Sequence, residues 1–135
     1  MSRFAGIAAA TAALALLASP AAHARDRASE GQAELAKLIE GRVAGEPQSC
    51  ISTFGNRNFN VIDETALVFE SGGTVWVNTT SMPEAIDDDD ILVIDRFSAS
   101  RLCRTDRIEL RSRGSGFFSG ILILGDFVPY RKADG

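Results

Sequence analysis

The stretch from Ala66 to Thr79 limits what this sequence can fold into more than any other. It consists of two short runs rich in Val and aromatic residues, separated by Gly72-Gly73. A two-residue primed turn needs positive φ, which glycine adopts without steric penalty, so the pair marks a β-hairpin. With both glycines in the turn, Phe69 faces Trp76 and Leu67 faces Asn78 on one side. Val68 with Val77, and Ala66 with Thr79, fill the other, because side chains alternate along a strand. Both faces are largely apolar, so the hairpin has to be covered on both sides. It is the expected centre of a small β-rich core.

The N-terminus sets the compartment. Arg3 is followed by a run of apolar and small residues from Phe4 to Ala18, then Ser19-Pro20, then Ala22-His23-Ala24. A positive start, an apolar stretch and a small-x-small end are the pattern of a secretory signal peptide cleaved after Ala24. The apolar run is shorter than the ~20 residues that span a bilayer, and no Cys near the cleavage site offers a lipid attachment point. Cleavage removes His23, the only His, and leaves 111 of the 135 residues, enough for one domain. The formal charge of −4 becomes −5 with the loss of Arg3. A mildly acidic exported chain lacks the basic excess of a nucleic-acid binder. Cys50 and Cys103 then face an oxidising compartment, where a pair in a small domain is expected to be bridged.

Taken in order, Arg25 to Gly31 has the composition of a polar, frayed leader. Ser29 and Gln32 have capping-box spacing, and Leu35, Leu38 and Ile39 form an apolar helical stripe that needs a partner. Gly41, Gly45 and Pro47 end that helix. Strands are expected at Ser49–Thr53, Phe59–Ile62, the two arms of the hairpin, Ile91–Phe97, Arg107–Arg113 and Ile121–Leu124. Gly55 to Asn58 and Gly114 to Gly116 supply turns. Ser98 to Asp106 is a connection carrying Cys103, and Ile121–Leu124 reads as a buried final strand closed by Gly125-Asp126 and Pro129.

Charge is segregated along the chain. Asp63 to Asp95 holds nine acidic residues and no Lys or Arg; Arg96 to Arg113 holds six Arg against Asp106 and Glu109. Arg107, Arg111 and Arg113 are the candidate anion-binding residues, because a guanidinium pairs phosphate or carboxylate bidentately. The plainer reading is that the acidic and basic segments neutralise one another at the surface. Asp87 to Asp90 lacks the glycine and alternating spacing of a calcium loop, so a solvated acidic loop is expected there. With no His after cleavage and both Cys paired, no zinc set can be assembled and the usual catalytic triads are excluded. Asp63, Glu64 and Asp95 are the carboxylates that a glycosidase-like mechanism would nominate. No phosphate-cradling loop precedes a helix, and no cofactor motif is present. Phe117-Phe118, in a Gly-rich loop, is the candidate apolar contact.

The order Cys50-Ile51, Val61-Ile62-Asp63, Leu67-Val68-Phe69, a glycine turn, Asn78, Leu102-Cys103, Asp106-Arg107-Ile108 and Leu124-Gly125-Asp126-Phe127-Val128-Pro129 resembles a family of small exported proteins of Gram-negative bacteria with no assigned function. Members of that family often carry two further Cys, at places held here by Met82 and Leu122. Replacement of both together is what the loss of one bonded pair would leave, which also implies that Cys50 and Cys103 form the other. The resemblance implies no activity, catalytic residue or cofactor.

The expectation is a mainly β (α+β) protein: one N-terminal helix packed on a small antiparallel barrel or curled sheet of about six or seven short strands. Residues 1–24 are the signal peptide, 25–47 the leader and amphipathic helix, and 48–135 the β-rich domain. The protein is expected in the periplasm or secreted, without a membrane span after cleavage. It is expected to bind an envelope component or a protein, and not to act as an enzyme. The alternatives are a small hydrolase acting on an envelope polymer through acidic residues, and a secreted inhibitor using Phe117-Phe118.

Overall fold

The computed structural model describes residues 20–54 and 58–133. The expected signal peptide up to Ser19 and the expected turn residues Gly55, Asn56 and Arg57 lie outside them. The central hairpin forms as its sequence dictates. Strands β4 (Ala66–Ser71) and β5 (Thr74–Asn78) pair with Phe69 opposite Trp76, Val68 opposite Val77 and Leu67 opposite Asn78. Gly72 and Gly73 both take positive φ, +57° and +78°, the backbone of a type I′ turn. Thr79 lies beyond the ladder and is exposed, so the expected Ala66–Thr79 pair is absent from it.

The hairpin is covered on both faces. On one, Leu67, Phe69 and Trp76 join Ile51, Ile86, Leu102, Ile108, Leu110, Leu122, Leu124 and Phe127 in the larger core. On the other, Ala66, Val68, Val75 and Val77 with Ile62 are covered by Leu35, Leu38, Ile39 and Tyr130. Those first three belong to, or directly follow, helix α1 (Pro20–Leu38), so the apolar helical stripe docks on the hairpin.

The helix is longer than its periodicity predicts. Within the described residues it already runs from Pro20, well ahead of Ser29. Ser29 is therefore inside the helix and bonds back to the Asp26 carbonyl at 2.8 Å instead of capping. The stretch expected to be a frayed leader is docked. Gly31 is buried where a Cβ would overlap Thr65 Oγ1 and stand 2.5 Å from the Asp63 carbonyl oxygen. Arg27 bonds Glu64 at 2.7 Å and lies 3.6 Å from Asp63.

Among the described residues, ten strands in three antiparallel sheets replace the expected six or seven in one small barrel or curled sheet. The five-stranded sheet runs β1 (Arg42–Ala44), β10 (Phe127–Lys132), β5, β4, β3 (Asn58–Ile62). A two-stranded sheet pairs β2 (Cys50–Ser52) with β7 (Arg101–Cys103). A three-stranded sheet orders β6 (Asp90–Asp95), β8 (Arg107–Ser112) and β9 (Phe118–Ile123). No barrel closes. After β1 the chain stays beside β10 through the Gly45 N–H bond to the Pro129 carbonyl and the Gln48–Phe127 bridge before entering β2.

Two devices fix how the sheets meet. Cys50 and Cys103 stand directly opposite in the β2–β7 pair and are joined by a disulfide, with Cα atoms 3.9 Å apart. The buried amide of Asn78 clamps the corner between β9 and β10, donating to the Gly125 carbonyl at 2.7 Å and accepting its N–H at 3.0 Å. Gly125 has to be glycine there: a Cβ would stand 2.5 Å from the Thr79 carbonyl oxygen.

Candidate functional site

Strands β6, β8 and β9 cover the core with one face only. Leu92, Ile94, Ile108, Leu110 and Leu122 point inward. Strict alternation then sends Ile91, Val93, Asp95, Arg107, Glu109, Arg111, Ile121 and Ile123 outward. The register arranges them in three cross-strand rows: Ile91–Arg111–Phe118, Val93–Glu109–Ile121 and Asp95–Arg107–Ile123. A bulge at Leu110/Arg111 brings Phe118 opposite Arg111, with Ser119 as the extra residue. The outer face is thus a charged central strand between two largely aliphatic ones.

Both apolar borders are open to solvent. Ile91, Val93, Ile121 and Ile123 are exposed, and Phe117 and Phe118 at the β8–β9 turn are 76% and 59% exposed. The expectation of a buried final strand fails here: Leu122 and Leu124 are buried, whereas Ile121 and Ile123 are not. Exposed apolar side chains grouped on one face make it a candidate contact site. Between the borders, Glu109 lies 3.9 Å from Arg107 and 3.4 Å from Arg111. Arg113, the third nominated cation, is not part of this face's ion pairs; its Nε donates to the Asp89 carbonyl at 3.0 Å.

At the Arg107–Ile123 end the face opens into a cavity of about 340 Å³ lined by Arg104, Thr105, Asp106, Arg107, Ile121, Leu122 and Ile123. Asp106 builds the turn beside it. Its buried carboxylate accepts the Cys103 N–H at 2.7 Å and the Phe97 N–H at 3.4 Å, and its own N–H bonds the Cys103 carbonyl at 2.9 Å. The disulfide anchors the same turn through Cys103. Arg104 and Thr105 are therefore held on a fixed loop, with Arg104 reaching Asp126 at 3.1 Å.

The acidic residues assemble elsewhere. Asp87 and Asp88 do not stand alone in a solvated loop: with Asp63 they form a cluster whose carboxylate oxygens lie within 4.8 Å of one another. These are the residues that offer oxygen ligands to a hard cation. Arg27 already supplies positive charge beside them. Burial pushes the Asp63 carboxyl above its ordinary value, Arg27 opposes that, and Asp87, Asp88 and Glu64 add to it. One Asp63 oxygen, Oδ1, is buried with no hydrogen-bond partner. The basic residues of β8 thus pair within their own strand, while a helix arginine serves the acidic β3–β4 turn. Of the carboxylates nominated for hydrolysis, Asp63 and Glu64 lie in this Arg27 cluster, and Asp95 lies opposite Arg107 on the outer face.

Comparison of the chain with family models, with curated proteins and with solved structures finds no match. The site therefore stands on its own chemistry. Sequence reasoning picked out Arg107, Arg111, Phe117 and Phe118 but missed Arg104, Thr105, Ile91, Val93, Ile121 and Ile123. The run Ile91–Ile94 is apolar at both parities, which is the signature of a strand buried on both faces. Nothing within that run distinguishes it from one with an uncovered side. Among the described residues, no helix is long and apolar enough to cross a membrane.

Proposed function

We propose that this protein is an exported binding domain of the bacterial envelope, periplasmic or secreted, which engages its partner through the outer face of β6, β8 and β9. The observation that carries the reading is the row structure of that face: two solvent-open aliphatic borders flank Arg107, Glu109 and Arg111 in fixed register. Covering it would remove several large apolar side chains from water at ~25 cal/mol per Å². The disulfide supports export, since such bonds persist in oxidising compartments. A chain starting at Arg25 after signal cleavage retains Arg27, Gly31, Leu35 and Leu38, which dock α1 on the sheet. A resemblance to small exported proteins fits the same location and adds no reaction.

The test is footprinting by hydroxyl radicals of the purified protein, alone and in solubilised envelope extract. Protection of Ile91, Val93, Ile121, Ile123, Phe117 and Phe118 is the expected result. Unchanged labelling at all six would overturn the reading. A second reading, a secreted inhibitor, draws on the exposure of Phe117 and Phe118 at a hairpin tip; it predicts protection confined to those two rings.

A further inference from the structure

The cavity at the end of the outer face brings two features together. Part of the lining is cationic and hydroxylic, from Arg104, Arg107 and Thr105, and the exposed side chains of Ile121 and Ile123 give it an aliphatic wall. The only carboxylate in the lining is Asp106, and both its oxygens accept backbone N–H groups of the turn it shapes. Within the lining, Arg104 and Arg107 therefore bring two positive charges against this one occupied carboxylate, with Asp126, Glu109 and Asp95 beside them outside it. Neither arginine is locked: the Arg104–Asp126 and Arg107–Glu109 pairs are solvent-exposed, and the second is long at 3.9 Å. Such pairs exchange readily for a better acceptor. The volume, about 340 Å³, lies at the lower end of the ~300–1,000 Å³ of small-molecule sites. On leaving the cavity the aliphatic wall does not stop, because Ile123 and Ile121 continue along β9 toward Phe118 on the same exposed face.

We propose that this cavity and the β9 row beside it bind an anionic amphiphile. Its phosphate or carboxylate head is held by Arg104, Arg107 and the Thr105 hydroxyl, and its acyl chain lies against Ile123 and Ile121. The inference rests on the outer face being the contact surface and names the chemistry of what it contacts. Charge complementarity selects the head: a guanidinium pair next to a hydroxyl suits a singly or doubly charged oxyanion. The exposed aliphatic row selects the tail. A free anion would leave that row in water, and a neutral amphiphile would leave both arginines without a new acceptor.

The probes are dodecyl phosphate, inorganic phosphate and dodecyl maltoside, each titrated calorimetrically into the purified protein below its micelle-forming concentration. Amide NMR shifts of the unmodified protein place the site independently of any variant. Dodecyl phosphate is expected to saturate one site, with shifts concentrated at Thr105–Arg107 and Ile121–Ile123. Inorganic phosphate and dodecyl maltoside are each expected to bind at least about ten-fold more weakly. The double variant Arg104→Gln/Arg107→Gln, and separately Ile123→Ser, are expected to lose at least about ten-fold in affinity for dodecyl phosphate. These side chains are exposed, so the variants should melt like the parent protein. Inorganic phosphate binding equally well would reduce the site to a simple anion site, and equal binding of the maltoside would reduce it to an apolar patch. Either result, or the absence of saturable binding, or shifts elsewhere, overturns the proposal. Failure here with footprint protection retained in envelope extract removes only the ligand class. Loss of that protection with dodecyl phosphate still bound keeps the site and removes its envelope role.

Discussion

Asn78 shows how much a single polar residue can decide in this protein. It is fully buried on the large-core side of the hairpin, and its amide takes both the N–H and the C=O of Gly125. Replacing Asn78 by Ala leaves two backbone groups without partners at the β9–β10 corner. Each unsatisfied group costs ~1–3 kcal/mol, so a loss of about 2–6 kcal/mol is expected in urea unfolding. A midpoint within error of the parent protein would show that water replaces the amide. Asp63 carries a pH prediction. Its folded-state carboxyl sits above the ordinary 3.8 because burial and neighbouring carboxylates disfavour the charged form. The protonated form therefore favours folding. That contribution is fully present below the ordinary value and is lost as pH rises through the folded one. Asp63→Asn should remove this pH dependence, making the variant more stable than the parent at pH 7, with the difference shrinking toward pH 3. Thermal melts across that range check the sign. At this scale the sequence was informative where a residue acts through alternation, as in Phe69 opposite Trp76. It was silent where one acts through a distant partner, because neither Arg27 nor Gly125 announces what it touches.

At the scale of elements, the helix is the instructive case. Its apolar stripe at Leu35, Leu38 and Ile39 was visible as a 3.6-residue pattern, and those residues do cover Val68, Val75 and Val77. The preceding turns were hidden because they dock by other means: a glycine pressed against Thr65 and an arginine on the β3–β4 turn. Leu38→Asp places a charge against that apolar cluster and should cost about 2–4 kcal/mol. Gly31→Val should destabilise as well, because the β-branched side chain has no room against Thr65. A Gly31→Val melt equal to that of the parent would mean that the N-terminal turns are undocked in solution. Three strands escaped the sequence pattern for separate reasons. β1 and β7 are three residues each, too short for alternation to register. β10 contains Pro129, which argues against an interior strand, yet it lies between β1 and β5. It is tolerated because the carbonyl of Pro129 still accepts the Gly45 N–H at 2.7 Å, and β1 ends at Ala44. Only one rung at the end of that ladder is missing.

At the scale of the whole molecule, the disulfide ties together parts that local pairing leaves separate. The β2–β7 sheet contains two strands of three residues, a ladder too small to be stable alone. The Cys50–Cys103 bond spans 53 positions and holds this ladder between the tract that follows β10 and the turn that leads into β8. It therefore joins the five-stranded sheet to the three-stranded one as well as closing a loop. Chain-entropy reasoning gives ~4 kcal/mol for a loop of this size, with real bridges often giving less. The whole domain is expected to have only ~5–15 kcal/mol. Cys50→Ser should consequently lower the melting temperature by many degrees, and Cys50→Ser/Cys103→Ser should lower it no further than either single change, apart from local packing. The same bond anchors the turn bearing Arg104 and Thr105. Reduction should therefore loosen that turn before the hairpin, whose register is fixed by its own glycines and its two covered faces. Hydrogen exchange of the protein with and without reductant separates the two regions. Protection is expected to fall at Leu102 to Asp106 and to persist at Leu67 to Phe69. Equal loss in both would mean that the bridge stabilises only through the unfolded chain and does nothing to position the site.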